Sequence, residues 1–156
     1  DVLGVDFSVQ AIQVAEKICD EQRIEGMDFV VDSTIPGAVA EASVDVVMML
    51  NSYHCLNSSE RGSVLKSAAR VLNPKGVLIL SILSTADEFY PRDKWARVED
   101  NSYKDETGKF FHFFSKDELV AELQSFKITG IQILENIHPD VGRRSSLYVV
   151  TVRMKD

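Results

Sequence analysis

The sequence predicts an α/β domain: a Rossmann-like, mostly parallel sheet with helices on both faces and an antiparallel strand pair at its C-terminal end. Three observations predict it. Short apolar runs at "VLGV", "MDFVV", "VDVVMML" and "VLILSIL" alternate with segments of helical periodicity, the pattern of βα units. "VDVVMML" and "VLILSIL" are apolar throughout, as strands covered on two faces are. Two β-rich runs, "ITGIQILENI" and "SSLYVVTVRM", then follow with only the turn-forming "HPDVGRR" between them, which suggests an antiparallel pair.

Taken in order, Val2 to Val5 read as a short buried strand with Asp6 at its C-terminal end. Ser8 caps a helix through "VQAIQVAEKICDEQ", where Ile12, Ala15, Ile18 and Cys19 recur on one face. "MDFVVDS" is a second strand, again ending in an acid, Asp32, and "IPGAVAEAS" is a loop. "VDVVMML" reads as a central strand with the polar exit "NSYHCLNSSE". "RGSVLKSAARVL" sets Val64, Leu65, Ala68, Ala69 and Leu72 at helical spacing, and "NPKG" ends that helix with turn punctuation. "VLILSIL" is the fourth strand. Ser84 to Phe114 shows no periodicity, carries the only tryptophan, Trp95, and ends in "FFHFF". "SKDELVAELQSF" opens with a Ser-x-x-Glu capping box and directs Leu119, Val120 and Leu123 inward.

With 156 residues and a hydrophobic fraction of 45%, the chain reads as one domain, 1–156, with a substantial core. A net charge of −7 argues against a general nucleic-acid surface, which needs clustered Lys and Arg. The two arginines of "VGRR" read as solvated. Cys19 and Cys55 fit no metal spacing, no metal site is expected, and so few cysteines suit a reducing compartment. No apolar run reaches the ~18 to 20 residues of a membrane span. The expectation is a cytoplasmic protein with no membrane or nucleic-acid partner.

The candidate site lies where strands end, because ligands of open α/β sheets bind beyond the carboxyl ends of the strands. Asp6 offers two acceptor oxygens to a ribose diol, and Phe7 offers an apolar face to a base. Asp32 with Ser33 can read an adenine edge. Asn51, Ser52, Tyr53 and His54 emerge at the end of the third strand, over a reaction centre. His112 and Phe111, in "KFFHFFS", are candidates to line a substrate pocket. His138, beside Pro139, reads as turn chemistry.

"VLGVDFSVQAI", "MDFVVDS", "VDVVMMLNSYHCL", "KSAARVLNPKGVLILSI" and "HFFSKDELVAEL", in this order, resemble class I S-adenosylmethionine-dependent methyltransferases. The small type-11 and type-12 enzymes, with the tellurite-resistance and thiopurine-like groups, are the most similar. The resemblance implies a seven-stranded sheet of order 3-2-1-4-5-7-6 with strand 7 antiparallel. It also implies S-adenosylmethionine as cofactor and a small-molecule methyl acceptor. Asp6 would bind the cofactor ribose, Phe7 would flank the adenine, Asp32 and Ser33 would meet its edge, and Asn51 to His54 would lie near the transferred methyl. His54 is the candidate general base, with Tyr53 beside it. The family's first strand, its Gly-rich loop and first helix are not found in the sequence, which is therefore expected to be N-terminally incomplete, to bind the cofactor poorly, and to self-associate through unpaired sheet edges. Two other functions compete. One is a non-catalytic methyltransferase-like scaffold subunit. The other is a short-chain-dehydrogenase-like NAD(P) oxidoreductase using Tyr90 and Lys94 at Tyr-x-x-x-Lys spacing, which Pro91 disfavours on a helix.

Overall fold

The computed structural model describes residues 1–88, 90, 95–138 and 143–155. It divides into two compact units, Asp1–Ala40 and Glu41–Asp156.

In the first unit, β1 (Val2–Asp6) and β2 (Met27–Val31) pair in parallel, joined by helix α1 (Val9–Gln22). Ser8 caps α1 as expected, its side chain accepting from the Ala11 N–H. The register aligns Asp6 with Val31, and the Asp32 N–H donates to the Asp6 carbonyl at 3.0 Å. The two acids thus close adjacent parallel strands on one rim. Gly4 is required by packing: a Cβ there would come within 2.6 Å of the Phe29 ring. The burial expected of this unit is only partly met. Ile12 is buried, but Val2, Leu3, Val5, Ile18 and Val31 are all exposed, because a two-stranded sheet with one helix has too little surface to cover its apolar side chains.

The second unit carries a four-stranded sheet of order β3-β4-β9-β8, formed by β3 (Val44–Leu50), β4 (Leu72–Leu83), β8 (Phe126–His138) and β9 (Arg143–Met154). β3 and β4 are parallel, while β9 runs antiparallel to both β4 and β8. This reproduces the 4-5-7-6 part of the expected order, and β1 with β2 reproduces its 2-3 pair. The antiparallel terminal pair is present, though residues 139–142 of its connection lie outside the described residues. Leu78, Leu80, Ile82, Val150 and Val152 are fully buried with Ala68 and Val71 of helix α2 (Ser58–Val71).

Several expectations are corrected here. β3 is an edge strand among the described residues, not a central one. Its sole partner is β4, and its two faces differ: Met49 is buried and Val47 half-buried on one, while Val46, Met48 and Leu50 on the other are exposed. α2 begins at Ser58, behind a reciprocal capping box of Asn57 and Glu60 that "NSSE" spells out. "NPKG" belongs to β4 as an irregularity of the strand: the pairing jumps from Val44↔Leu72 to Val46↔Val77. There Gly76 sits so close to the Val44 and Asn73 carbonyls that a Cβ would meet both at 3.0 Å.

The stretch without periodicity folds into a small antiparallel sheet, β5 (Ala96–Glu99), β6 (Ser102–Lys104) and β7 (Phe110–His112), in that order. Its strands of three or four residues are too short to show a period. Helix α3 (Lys116–Glu122) follows the expected Ser115–Glu118 capping box and buries Leu119; Leu123 is also buried, whereas Val120 is exposed.

Candidate functional site

Each acid of the first unit is held by its own turn. Asp6 Oδ1 accepts from the Ser8 N–H at 2.8 Å, and Asp32 Oδ1 accepts from the Thr34 N–H at 3.1 Å. A carboxylate has about four lone-pair sites, so one local bond fixes its direction and leaves acceptor capacity for a ligand. Both acids are half-buried and Ser33 is exposed. The Phe7 ring is 80% exposed, an apolar surface with one face available to a planar group.

In the second unit, Asn51 ends β3 in the left-handed region with φ 57°, which Asn tolerates better than most residues. The strained turn is tied to β4: the Asn51 N–H donates to the Ser81 carbonyl at 3.1 Å, and the Ser81 hydroxyl donates to Asn51 Oδ1 at 3.0 Å. It leads into a 3₁₀ turn, Tyr53–Cys55, which carries both residues expected to be catalytic.

Those two residues have different surroundings. Tyr53 is fully buried, stacks on Phe114 at 5.9 Å between centroids, and donates to Glu122 Oε1 at 2.8 Å. Arg61, also buried, donates through Nε to the same oxygen at 2.9 Å and through Nη1 to the Leu56 carbonyl at 3.0 Å. Burial, followed by the Glu122 charge, raises the Tyr53 phenol far above its ordinary range. Tyr53 therefore keeps its proton and anchors the turn.

His54 is 5% exposed, and its Nδ1 is buried without a hydrogen-bond partner. Burial lowers its pKa to about 4, with the Lys109 charge adding and the Ser81 backbone and Asp87 opposing. The imidazole is neutral at neutral pH.

β7 turns alternate residues to opposite faces of the small sheet. Register pairs Tyr103 with Phe111 and Ser102 with His112, so the first pair shares one face and the second the other. On the first face, Phe111 stacks on His54 (6.3 Å, 20°) and on Trp95 (5.1 Å, 27°), with Lys109 Nζ 4.9 Å from its centroid. On the second, His112 Nδ1 lies 2.6 Å from the Ser102 hydroxyl, and its ring meets Phe114 edge-on at 4.3 Å. His112 Nε2 is 2.9 Å from Glu118 Oε1, yet the angle is not that of a hydrogen bond and the nitrogen has no bonded partner. Burial, then Arg61, lowers the His112 pKa against the opposing pull of Glu118. Glu118 also accepts from Asn101, which in turn accepts from Tyr90.

The structure therefore brings His54 and Phe111 together and turns His112 away from them. Sequence reasoning passed over Trp95, Lys109, Arg61 and Glu122. Only Lys109, adjoining the aromatic run, and Trp95, the single tryptophan, carried a visible signal, since Arg61 and Glu122 are 61 residues apart. Tyr90 hydrogen-bonds to Asn101, and Lys94 lies outside the described residues, so the Tyr–Lys pair gains no support. Arg144 Nη1 lies 3.8 Å from Glu135 Oε1, with both side chains exposed. Among the described residues, no cluster of three or more His, Cys, Asp or Glu could hold a metal ion, and no helix is long and apolar enough to cross a membrane.

The methyltransferase-domain family profile matches residues 1–76. No curated protein matches the sequence closely enough to carry a comparison. Among solved structures, the chain is similar to an S-adenosylmethionine-dependent methyltransferase of Methanosarcina mazei, with TM-score 0.75 and 23% identity, covering 98% of this chain and 81% of that one. A Pyrococcus horikoshii protein matches with TM-score 0.79 and 20% identity over 99% of this chain and 72% of its own. The 1,6-didemethyltoxoflavin-N1-methyltransferase of Burkholderia thailandensis, solved with 1,6-didemethyltoxoflavin and S-adenosylhomocysteine, matches with TM-score 0.68 and 18% identity, over 99% and 71%. The resemblance read from the sequence thus holds: the chain has a methyltransferase-domain match over its first 76 residues and, across its length, the Rossmann-like fold of S-adenosylmethionine-dependent methyltransferases.

Proposed function

We propose that the protein is an S-adenosylmethionine-dependent methyltransferase acting on a small-molecule nucleophile, with residues 1–156 working as one cytoplasmic domain. The observation that carries the reading is the pair of acids, Asp6 and Asp32, ending adjacent parallel strands on one rim. The residues present suit the adenosine half of the cofactor. Asp6 retains acceptor capacity for the ribose diol, the open Phe7 ring flanks the adenine, and Asp32 with Ser33 takes its edge. Asn51 is assigned to the cofactor as well.

The cofactor supplies an already activated sulfonium methyl, so the protein has to orient the acceptor and exclude water. His54 faces that task as a neutral imidazole. It can accept a hydrogen bond or a proton from the acceptor, although a group titrating at about 4 is a weak base. Tyr53 acts by holding the turn through Glu122. Phe111 lines the acceptor side, and His112 supports the small sheet from its other face. The exposed Val46, Met48 and Leu50 on the edge strand β3 favour self-association.

The test is calorimetric titration with S-adenosylmethionine and with S-adenosylhomocysteine, followed by a methyl-transfer assay over a panel of small nucleophiles. Binding of both cofactor forms and transfer to a member of the panel support the proposal. Weak binding is the expected result and supports the proposal; no binding of either form even at millimolar concentration overturns it.

A further inference from the structure

The neutral, weakly basic His54 narrows what can be methylated, and the small sheet narrows it further. A base titrating at about 4 draws little proton from an alkyl alcohol or an alkylammonium group, whose pKa values lie several units higher. An acceptor methylated here must arrive with a free lone pair, or as an acid that is readily ionised. Lys109 supplies the complement to the second kind: its ammonium lies 4.9 Å from the Phe111 centroid and acts electrostatically on both His54 and Cys55. The ring row His54, Phe111, Trp95 is roughly parallel throughout, and Phe111 and Trp95 are half-exposed. Aromatic faces favour flat partners in offset stacking over saturated ones of the same volume. The buried Nδ1 of His54, without a partner, adds an unsatisfied polar atom at the inner end of the row.

We propose that the methyl acceptor is a planar aromatic or heteroaromatic acid that stacks on Trp95, at the outer end of the row that Phe111 and His54 continue, and is held as its anion by the Lys109 ammonium. This rests on the methyltransferase reading above and names its substrate class. In the transfer, the acceptor's lone pair forms the new bond to the methyl carbon. The carbon–sulfur bond breaks with its electron pair going to sulfur, which becomes a neutral thioether. The acceptor's proton has already left to solvent, so no further base is needed.

Trp95 is the only tryptophan in the chain, so one indole N–H resonance reports on the site without any turnover. The experiment titrates the protein with 4-nitrophenolate (planar and anionic), 4-nitroanisole (planar and uncharged) and cyclohexanecarboxylate (anionic but not flat). It records calorimetry and the Trp95 indole signal. The expected result is that 4-nitrophenolate binds and shifts the indole resonance, that 4-nitroanisole binds about threefold to tenfold more weakly, and that cyclohexanecarboxylate does neither. Lys109→Met should bring 4-nitrophenolate down to the level of 4-nitroanisole, and Trp95→Ala should weaken both. Binding of cyclohexanecarboxylate as tight as that of 4-nitrophenolate overturns the proposal, as does an unchanged indole signal. If Trp95→Ala melts below the assay temperature, the wild-type indole shift and the Lys109→Met comparison decide alone. S-adenosylmethionine binding is measured separately. Cofactor binding without 4-nitrophenolate binding sinks only the substrate class. A 4-nitrophenolate shift without cofactor binding sinks only the methyltransferase reading.

Discussion

Phe111 and His54 stack with ring centroids 6.3 Å apart and planes 20° from parallel, whereas the next residue, His112, reaches the opposite face of the same three-stranded sheet. One β-strand step thus separates the two histidine environments. His54 meets an aromatic row and a lysine, while His112 meets a serine and two glutamates' field. Both imidazoles are driven towards the neutral form, chiefly by burial.

Acid should therefore destabilise the fold. His54 titrates at about 4 when folded and near 6.5 when unfolded. Above pH 6.5 both states carry a neutral ring, and the native state loses nothing. Between 6.5 and 4 the unfolded state binds a proton that the folded state refuses, so stability falls with pH, by up to about 3 kcal/mol for this one group. The downward shift of His112 acts in the same direction. Denaturant midpoints across this range should decline in the wild type and decline less in His54→Gln. A His54→Gln slope equal to the wild type's would show that burial does not hold this ring neutral.

Glu122 binds the site's supporting shell together, since Tyr53 and Arg61 both donate to its Oε1. Glu122→Ala leaves a guanidinium that is 4% exposed without its counter-charge and strands the Tyr53 hydroxyl. A cost of about 3 to 5 kcal/mol is expected. Tyr53→Phe removes only one donor to a carboxylate that Arg61 still satisfies, so it should cost about 1.5 to 3 kcal/mol or less. Equilibrium unfolding of the two variants checks the order. A Tyr53→Phe loss as large as that of Glu122→Ala would contradict it.

The irregular start of β4 offers a sharper steric test. Gly76→Ala places a methyl 2.8 Å from Leu72 Cδ2 and 3.0 Å from two carbonyl oxygens. The leucine can give way but the backbone cannot, so a loss of about 1 to 3 kcal/mol is expected. Gly62→Ala, in α2 with no atom within 4 Å of the added methyl, should instead stabilise by a few tenths to about 1 kcal/mol. Thermal melts of the two proteins should shift in opposite directions.

The parts of this architecture that were legible in the sequence are those written locally. Ser8 and the Ser115–Glu118 pair announced two helix starts because capping is a matter of three or four adjacent residues. Apolar runs announced β1 to β4 and the closing pair. Neighbours in space were harder to read. An apolar strand looks the same whether one face or two are covered, so "VDVVMML" read as central although Met48 and Leu50 are exposed. β5 to β7 were too short to show alternation. Among the site residues, the strand-end acids were visible as chain punctuation. The anchoring of Tyr53 by Glu122, 69 residues on, depends on tertiary packing that no local pattern encodes.

The cofactor role of Asp6 can be separated from its structural one. Its Oδ1 accepts from the Ser8 N–H, and Ser8 in turn caps α1, so Asp6→Ala disturbs both the turn and any ligand. Asp6→Asn keeps an amide oxygen for the Ser8 N–H but gives up the charge and one acceptor. If Asp6 holds the ribose diol, Asp6→Asn should melt close to the wild type while S-adenosylmethionine affinity drops. Loss of a hydrogen bond to a charged acceptor corresponds to about 1.5 to 3 kcal/mol, or roughly tenfold to a hundredfold in Kd. Asp6→Ala should show the same affinity loss together with a lower melting temperature, as the Asx-type turn before α1 goes. Calorimetry and thermal melts on the three proteins read both quantities. Unchanged affinity in Asp6→Asn would remove Asp6 from the cofactor site and leave it only the task of opening the helix.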